Sequence, residues 1–82
     1  MYRIELSKRA QKDLAGLERG SQIRGLKKLE DAARDPAHHF MPLKGVEGFR
    51  MRVGDLRVLA DIDAHENAII VAAIGKRENI YK

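Results

Sequence analysis

Between Phe49 and Ile62 the chain alternates apolar and polar residues on both sides of a Gly-Asp pair, and this stretch restricts the fold more than any other. Phe49, Met51 and Val53 alternate with Arg50 and Arg52; after Gly54-Asp55, Leu56, Val58, Ala60 and Ile62 carry the apolar face onward. A repeat of two is the side-chain period of a strand covered by a core on one face. Gly54-Asp55 reads as a two-residue hairpin turn, with glycine supplying the positive φ such turns require. That turn pairs Val53 with Leu56 and places Arg52 directly opposite Arg57. Arg50 follows two residues along on the same face. Like charges opposed across a strand pair are destabilising, and no acidic residue alternates with these arginines on the first strand. Such crowding fits a surface that meets phosphate, for which the planar, permanently charged guanidinium is suited.

The rest of the chain supplies what the hairpin needs for a core. Tyr2, Ile4 and Leu6 alternate with Arg3, Glu5 and Ser7, again a half-covered strand. Ser7 caps a first helix carrying Ala10, Leu14 and Leu17 on one stripe, and Gly20 ends it. A second helix runs from about Ser21 to Arg34, with Ile23, Leu26, Leu29 and Ala33 as its stripe, until Asp35-Pro36 stops it. Residues 37–48 read as a loop punctuated by Pro42, Gly45 and Gly48. Beyond a second turn at Asp63 to Asn67, Ala68 to Ile74 is apolar at every position, as in a strand buried on both sides. The expected fold is α+β, ordered β-α-α-β-β-β. It is an antiparallel meander sheet with two N-terminal helices packed on one face, a single domain over residues 1–82.

Composition excludes several chemistries. The 82 residues include no cysteine, which removes disulfides, thiolate metal sites and a cysteine nucleophile. The longest apolar run is far short of a membrane span, and the N-terminus lacks a signal peptide's apolar stretch, so the chain reads as soluble and intracellular. Sixteen Lys and Arg against twelve Asp and Glu give a net charge of +4, compatible with a polyanionic partner. His38 and His39 read as exposed loop histidines with no third metal ligand nearby, and Ser7 and Ser21 as helix caps. The return of the last strand brings Lys76 and Arg77 beside Leu56 and Arg57, with Tyr81 close behind. The candidate patch is therefore Arg50, Arg52, Arg57, Lys76, Arg77 and Tyr81: arginines to hold phosphates, a tyrosine face to stack a base.

Four stretches, taken in order, resemble the RelE/ParE toxin superfamily, the RelE branch in particular. They are Lys8-Arg9-Ala10-Gln11-Lys12-Asp13-Leu14, Pro42-Leu43-Lys44-Gly45, the hairpin from Phe49 to Val58, and Ile74-Gly75-Lys76-Arg77-Glu78-Asn79-Ile80-Tyr81. The resemblance spans nearly the whole chain and implies the element order read above. It implies the toxin of a type II toxin–antitoxin system, a cytoplasmic, ribosome-dependent mRNA endonuclease that needs no metal or cofactor and inhibits translation. The implied partners are a cognate RelB-like antitoxin, the ribosome and its mRNA, and operator DNA only through the antitoxin complex, with no membrane. Carried onto this sequence, Arg57 and Arg77 stabilise the phosphate and transition state, and Tyr81 stacks on the base or moves a proton. Arg50 and Arg52 hold the RNA backbone or tune proton transfer, and Lys76 of the candidate patch joins them in binding RNA. Many relatives place lysines where Arg50 and Arg52 stand. Arginine stays protonated, so the general base is left open. The alternatives are a non-enzymatic gyrase inhibitor of the ParE kind and an inactive regulatory partner of the antitoxin.

Overall fold

The computed structural model describes residues 1–76. Along the chain lie β1 (Arg3–Leu6), α1 (Lys8–Ala15), α2 (Arg19–Arg34), α3 (Pro36–His39), β2 (Met41–Pro42), β3 (Phe49–Val53), β4 (Leu56–Asp63) and β5 (Ala68–Lys76). The hairpin forms in the register its alternation demands. Val53 pairs with Leu56, Arg52 with Arg57, Met51 with Val58 and Phe49 with Ala60. Gly54 alone of the two turn residues has a positive φ, +61°, the pattern of a type II′ turn with glycine first.

The five strands stand in the order β1-β5-β4-β3-β2. The expected all-antiparallel meander is therefore corrected at one edge. β1 lies parallel to β5, with Ile4 beside Ile69 and Leu6 beside Val71, while every other pair is antiparallel. The pairing follows from burial. β1 and β5 each carry an apolar face, and side by side they present Ile4, Leu6, Ile69 and Val71 to the same helices. β5 is thus interior to the sheet, which accounts for its apolar run, but it is not covered on both faces, since Ile70 is 38% exposed. A β-bulge between Leu59 and Ala60 shifts the register so that Leu59 meets Ala73 and Ala60 meets Val71.

α1 packs along β5, and α2 against β1 and β3. The core is built from Ala10 of α1, Leu29 and Ala32 of α2, Phe40, and Met51, Val53, Leu56, Val58, Ile69, Val71 and Ile74 of the sheet. α1 also closes the edge of β5 that β1 leaves open past Val71. Ser7 caps α1 by accepting from the Ala10 amide at 3.0 Å and donates its hydroxyl to the Ala72 carbonyl at 2.9 Å. Asp13 accepts from the Ile74 amide at 2.9 Å. Two backbone groups of an exposed strand edge, an invitation to aggregation when left bare, are occupied from within the chain.

Several boundaries differ from the sequence reading. α1 ends at Gly16 rather than Gly20, and Gly20 lies in the first turn of α2. α2 buries Ser21, Gly25, Leu29, Ala32 and Ala33, leaving Ile23 56% and Leu26 44% exposed. The helix carries two adjacent apolar strips, and only the one ending in Leu29, Ala32 and Ala33 meets the sheet. The predicted loop over 37–48 contains the end of α3 and the short strand β2. Proline at the first helical position pre-sets φ and needs no donor, so Pro36 starts a turn as well as stopping α2. No helix among the described residues is long and apolar enough to cross a membrane.

Candidate nucleic-acid interface

Strand alternation settles where the hairpin arginines stand. Met51, Val53, Leu56 and Val58 are core residues, so Arg50, Arg52 and Arg57 share the opposite face, with Arg52 directly across from Arg57. On its other side Arg57 pairs with Gly75, which has no side chain to crowd the guanidinium. Arg57 is only 8% exposed. Yet among the described residues no side-chain nitrogen is both buried and without a hydrogen-bond partner, and the Arg57 side chain forms no ion pair there. Its aliphatic stem is therefore buried while its guanidinium opens to solvent, the arrangement expected of an amphipathic side chain. No carboxylate among the described residues lies within ion-pairing distance of Arg50, Arg52 or Arg57; the ion pairs are Arg3–Glu5, Arg9–Asp13 and His38–Asp35.

The charge opens into a cleft. β2 covers β3 only opposite Phe49 and Arg50. Beyond it, Lys28 of α2 and His38 and His39 of α3 join Met41, Arg50, Met51, Arg52 and Arg57 around a cleft of about 420 Å³. Among the described residues four cations and two imidazoles line this hollow with no acid between them, a lining that suits an anion. Fixed guanidinium groups in such a site act on negative charge with little reorganisation.

Arg50, Arg52 and Arg57 are thus brought together. Lys76 is not: it pairs with Leu56, which puts it on the core-side face of the sheet, away from the arginines, where it is exposed. Arg77 and Tyr81 lie outside the described residues. Sequence reasoning missed Lys28 and the histidines. His39 is half-buried rather than a free loop residue. Its Nδ1 lies 3.0 Å from the Asp35 carbonyl oxygen, and His38 Nδ1 lies 3.0 Å from Asp35 Oδ2. The signal was present in Asp35-Pro36, since a proline-started turn returns residues three and four positions on to the same side. Among the described residues no three His, Asp or Glu side chains converge as a metal site.

The family described as the ParE toxin of the type II toxin–antitoxin system ParDE matches residues 4–81. No curated protein sequence matches significantly. Among solved structures, the RelBE2 toxin–antitoxin complex of Mycobacterium tuberculosis contains a chain with a TM-score of 0.85 and 23% identity, over 93% of this chain and 98% of that one. The intact RelBE complex of Escherichia coli gives 0.77 and 20%, over 96% and 100%. The archaeal RelE–RelB complex of Pyrococcus horikoshii gives 0.76 and 21%, over 95% and 97%. At these identities the likeness establishes a shared fold.

Proposed function

Because the chain belongs to the ParE toxin family of type II toxin–antitoxin systems, we propose that it is a toxin that cleaves mRNA on the ribosome. The observation that carries this reading is the hairpin register: Arg52 faces Arg57, Arg50 stands beside them, and no carboxylate among the described residues neutralises the three. RNA brings its own nucleophile, the 2′-hydroxyl. The protein has only to align that oxygen with the adjacent phosphorus and to neutralise charge as the phosphorane forms. We assign Arg57 the second task; supporting this, its stem is buried and the residue lines the cleft. Arg50 and Arg52 hold the backbone on either side. Arg77 and Tyr81 complete the proposed set as phosphate ligand and stacking platform. The solved relatives include toxins bound to RelB antitoxins, and the partner proposed here is a RelB-like antitoxin whose acidic surface occupies the same charge.

The test is cleavage of a defined mRNA on programmed ribosomes, with 5′ ends mapped after brief exposure to the full chain. Wild type cuts within the A-site codon, and Arg57→Ala loses about 10²–10³-fold in rate while still sedimenting with ribosomes. Equal cleavage by both would remove Arg57 from the site. The family name also covers inhibition of DNA gyrase, so supercoiling is measured with the same preparation. Inhibition of gyrase without mRNA cleavage would replace the endonuclease reading.

A further inference from the structure

The cleft that gathers the arginines contains no group among them able to take a proton. Guanidinium has no free lone pair, and an ammonium has none either. Arg50, Arg52, Arg57 and Lys28 are therefore donors, while deprotonation of a 2′-hydroxyl needs an acceptor. Imidazole is the side chain that is both acid and base near neutral pH, and the cleft has two. Resting on the endonuclease reading above, we propose that His39 is the general base of this toxin, with Nε2 as the accepting atom.

The geometry separates the two histidines. His39 Nδ1 contacts the Asp35 backbone carbonyl at 3.0 Å. A carbonyl only accepts, so Nδ1 carries the hydrogen, and in the neutral ring the lone pair sits on Nε2. The anchor is a main-chain oxygen in a turn fixed by Pro36, and the ring is half-buried, so its orientation survives without substrate. His38 also has an occupied Nδ1, but its partner is the Asp35 carboxylate at 3.0 Å, and the two side chains are 83% and 56% exposed. A ring on so open a pair is not held toward the cleft. The groups facing His39 are Lys28 of α2, Arg50 and Arg52 of β3, Arg57 of β4, and Asp35 and His38 of its own turn.

The step balances without a further reactant. His39 Nε2 takes the 2′-hydroxyl proton as O2′ bonds to the adjacent phosphorus. The bond from phosphorus to O5′ breaks, and O5′ takes a proton from water, to which the cleft is open. The products are a 2′,3′-cyclic phosphate and a 5′-hydroxyl, and His39 returns its proton to solvent.

His39→Asn is the diagnostic variant, because an asparagine amide can replace Nδ1–H toward the Asp35 carbonyl but has nothing at the Nε2 position. Rates on programmed ribosomes are measured from about pH 5.5 to 8.5 for wild type, His39→Asn and His38→Ala, with thermal melting and ribosome co-sedimentation as controls. Wild type should slow toward the acid end of this range. His39→Asn should cleave about 10²–10⁴-fold more slowly and lose that acid limb, while melting and ribosome binding hold. His38→Ala should keep the acid limb, whatever its effect on the rate. A His39→Asn variant that retains the limb, or a His38→Ala variant that loses it, overturns the assignment while leaving the endonuclease intact. A wild type that cleaves nothing overturns the endonuclease and the base together.

Discussion

Replacing Arg52 by glutamine should make the protein more stable and less active, and the two effects come from the same geometry. Arg52 faces Arg57 across the hairpin and follows Arg50 on the same face, so it takes part in two of the cluster's repulsions. Directly opposed Cβ atoms lie roughly 5 Å apart, and i, i+2 positions about 7 Å apart. Two unit charges about 6–7 Å apart in an aqueous cleft repel by about 0.6–0.7 kcal/mol. The two pairs together make about 1 kcal/mol at low salt. Arg52 is exposed while Arg57 buries its stem, so Arg52→Gln removes charge with little loss of packing. For a domain of this size 1 kcal/mol shifts the melting midpoint by about 4–8 °C. The assay is thermal unfolding at about 0.01 M and about 1 M salt, where the Debye length falls from about 30 Å to about 3 Å. Arg52→Gln should melt higher at low salt, with the advantage nearly gone at high salt. Its affinity for single-stranded RNA should fall, with a salt slope shallower by about 0.7 per lost phosphate contact. A variant that melts no higher than wild type at low salt, or whose gain persists at high salt, would show that the guanidinium groups do not share a field.

Two further perturbations probe the scaffold that holds the cluster. Gly54→Ala meets no neighbouring atoms but must adopt φ +61°, which should cost about 1–2 kcal/mol in urea unfolding and loosen the pairing of Arg52 with Arg57. An alanine as stable as glycine there would mean that the turn relaxes to another type. Asp13→Ala removes the acceptor for the Ile74 amide at the open edge of β5, at about 1–3 kcal/mol. Asp13→Asn keeps an acceptor and should recover most of it. Hydrogen exchange at the Ile74 amide reads this directly, and unchanged protection in Asp13→Ala would contradict the edge-closing role of α1.

Much of the arginine site was legible because its determinants are local. The alternation on either side of Gly54-Asp55 and the two-residue turn together specify register, and register alone brings Arg52 to Arg57. The first and last strands, the Ser7 cap and the presence of two helices before the hairpin were legible for the same reason. Less could be read where two local solutions compete. α2 carries Ile23 and Leu26 as well as Leu29, Ala32 and Ala33, and periodicity does not say which strip meets the sheet. Pro36 is at once a stop for α2 and a start for α3, and only the second role bends His39 back toward Asp35.

The order of residues thus carries the hairpin, its pairing and its concentration of positive charge, since a period of two and a glycine turn act over a dozen residues. Tertiary structure alone decided that β1 lies alongside β5 in parallel, because the choice of a distant neighbour depends on which apolar faces the helices cover together. It also decided that α2 and α3 bring Lys28 and His39 to the arginines. Proximity between segments far apart in the chain comes from burying a shared core, and no local pattern encodes it.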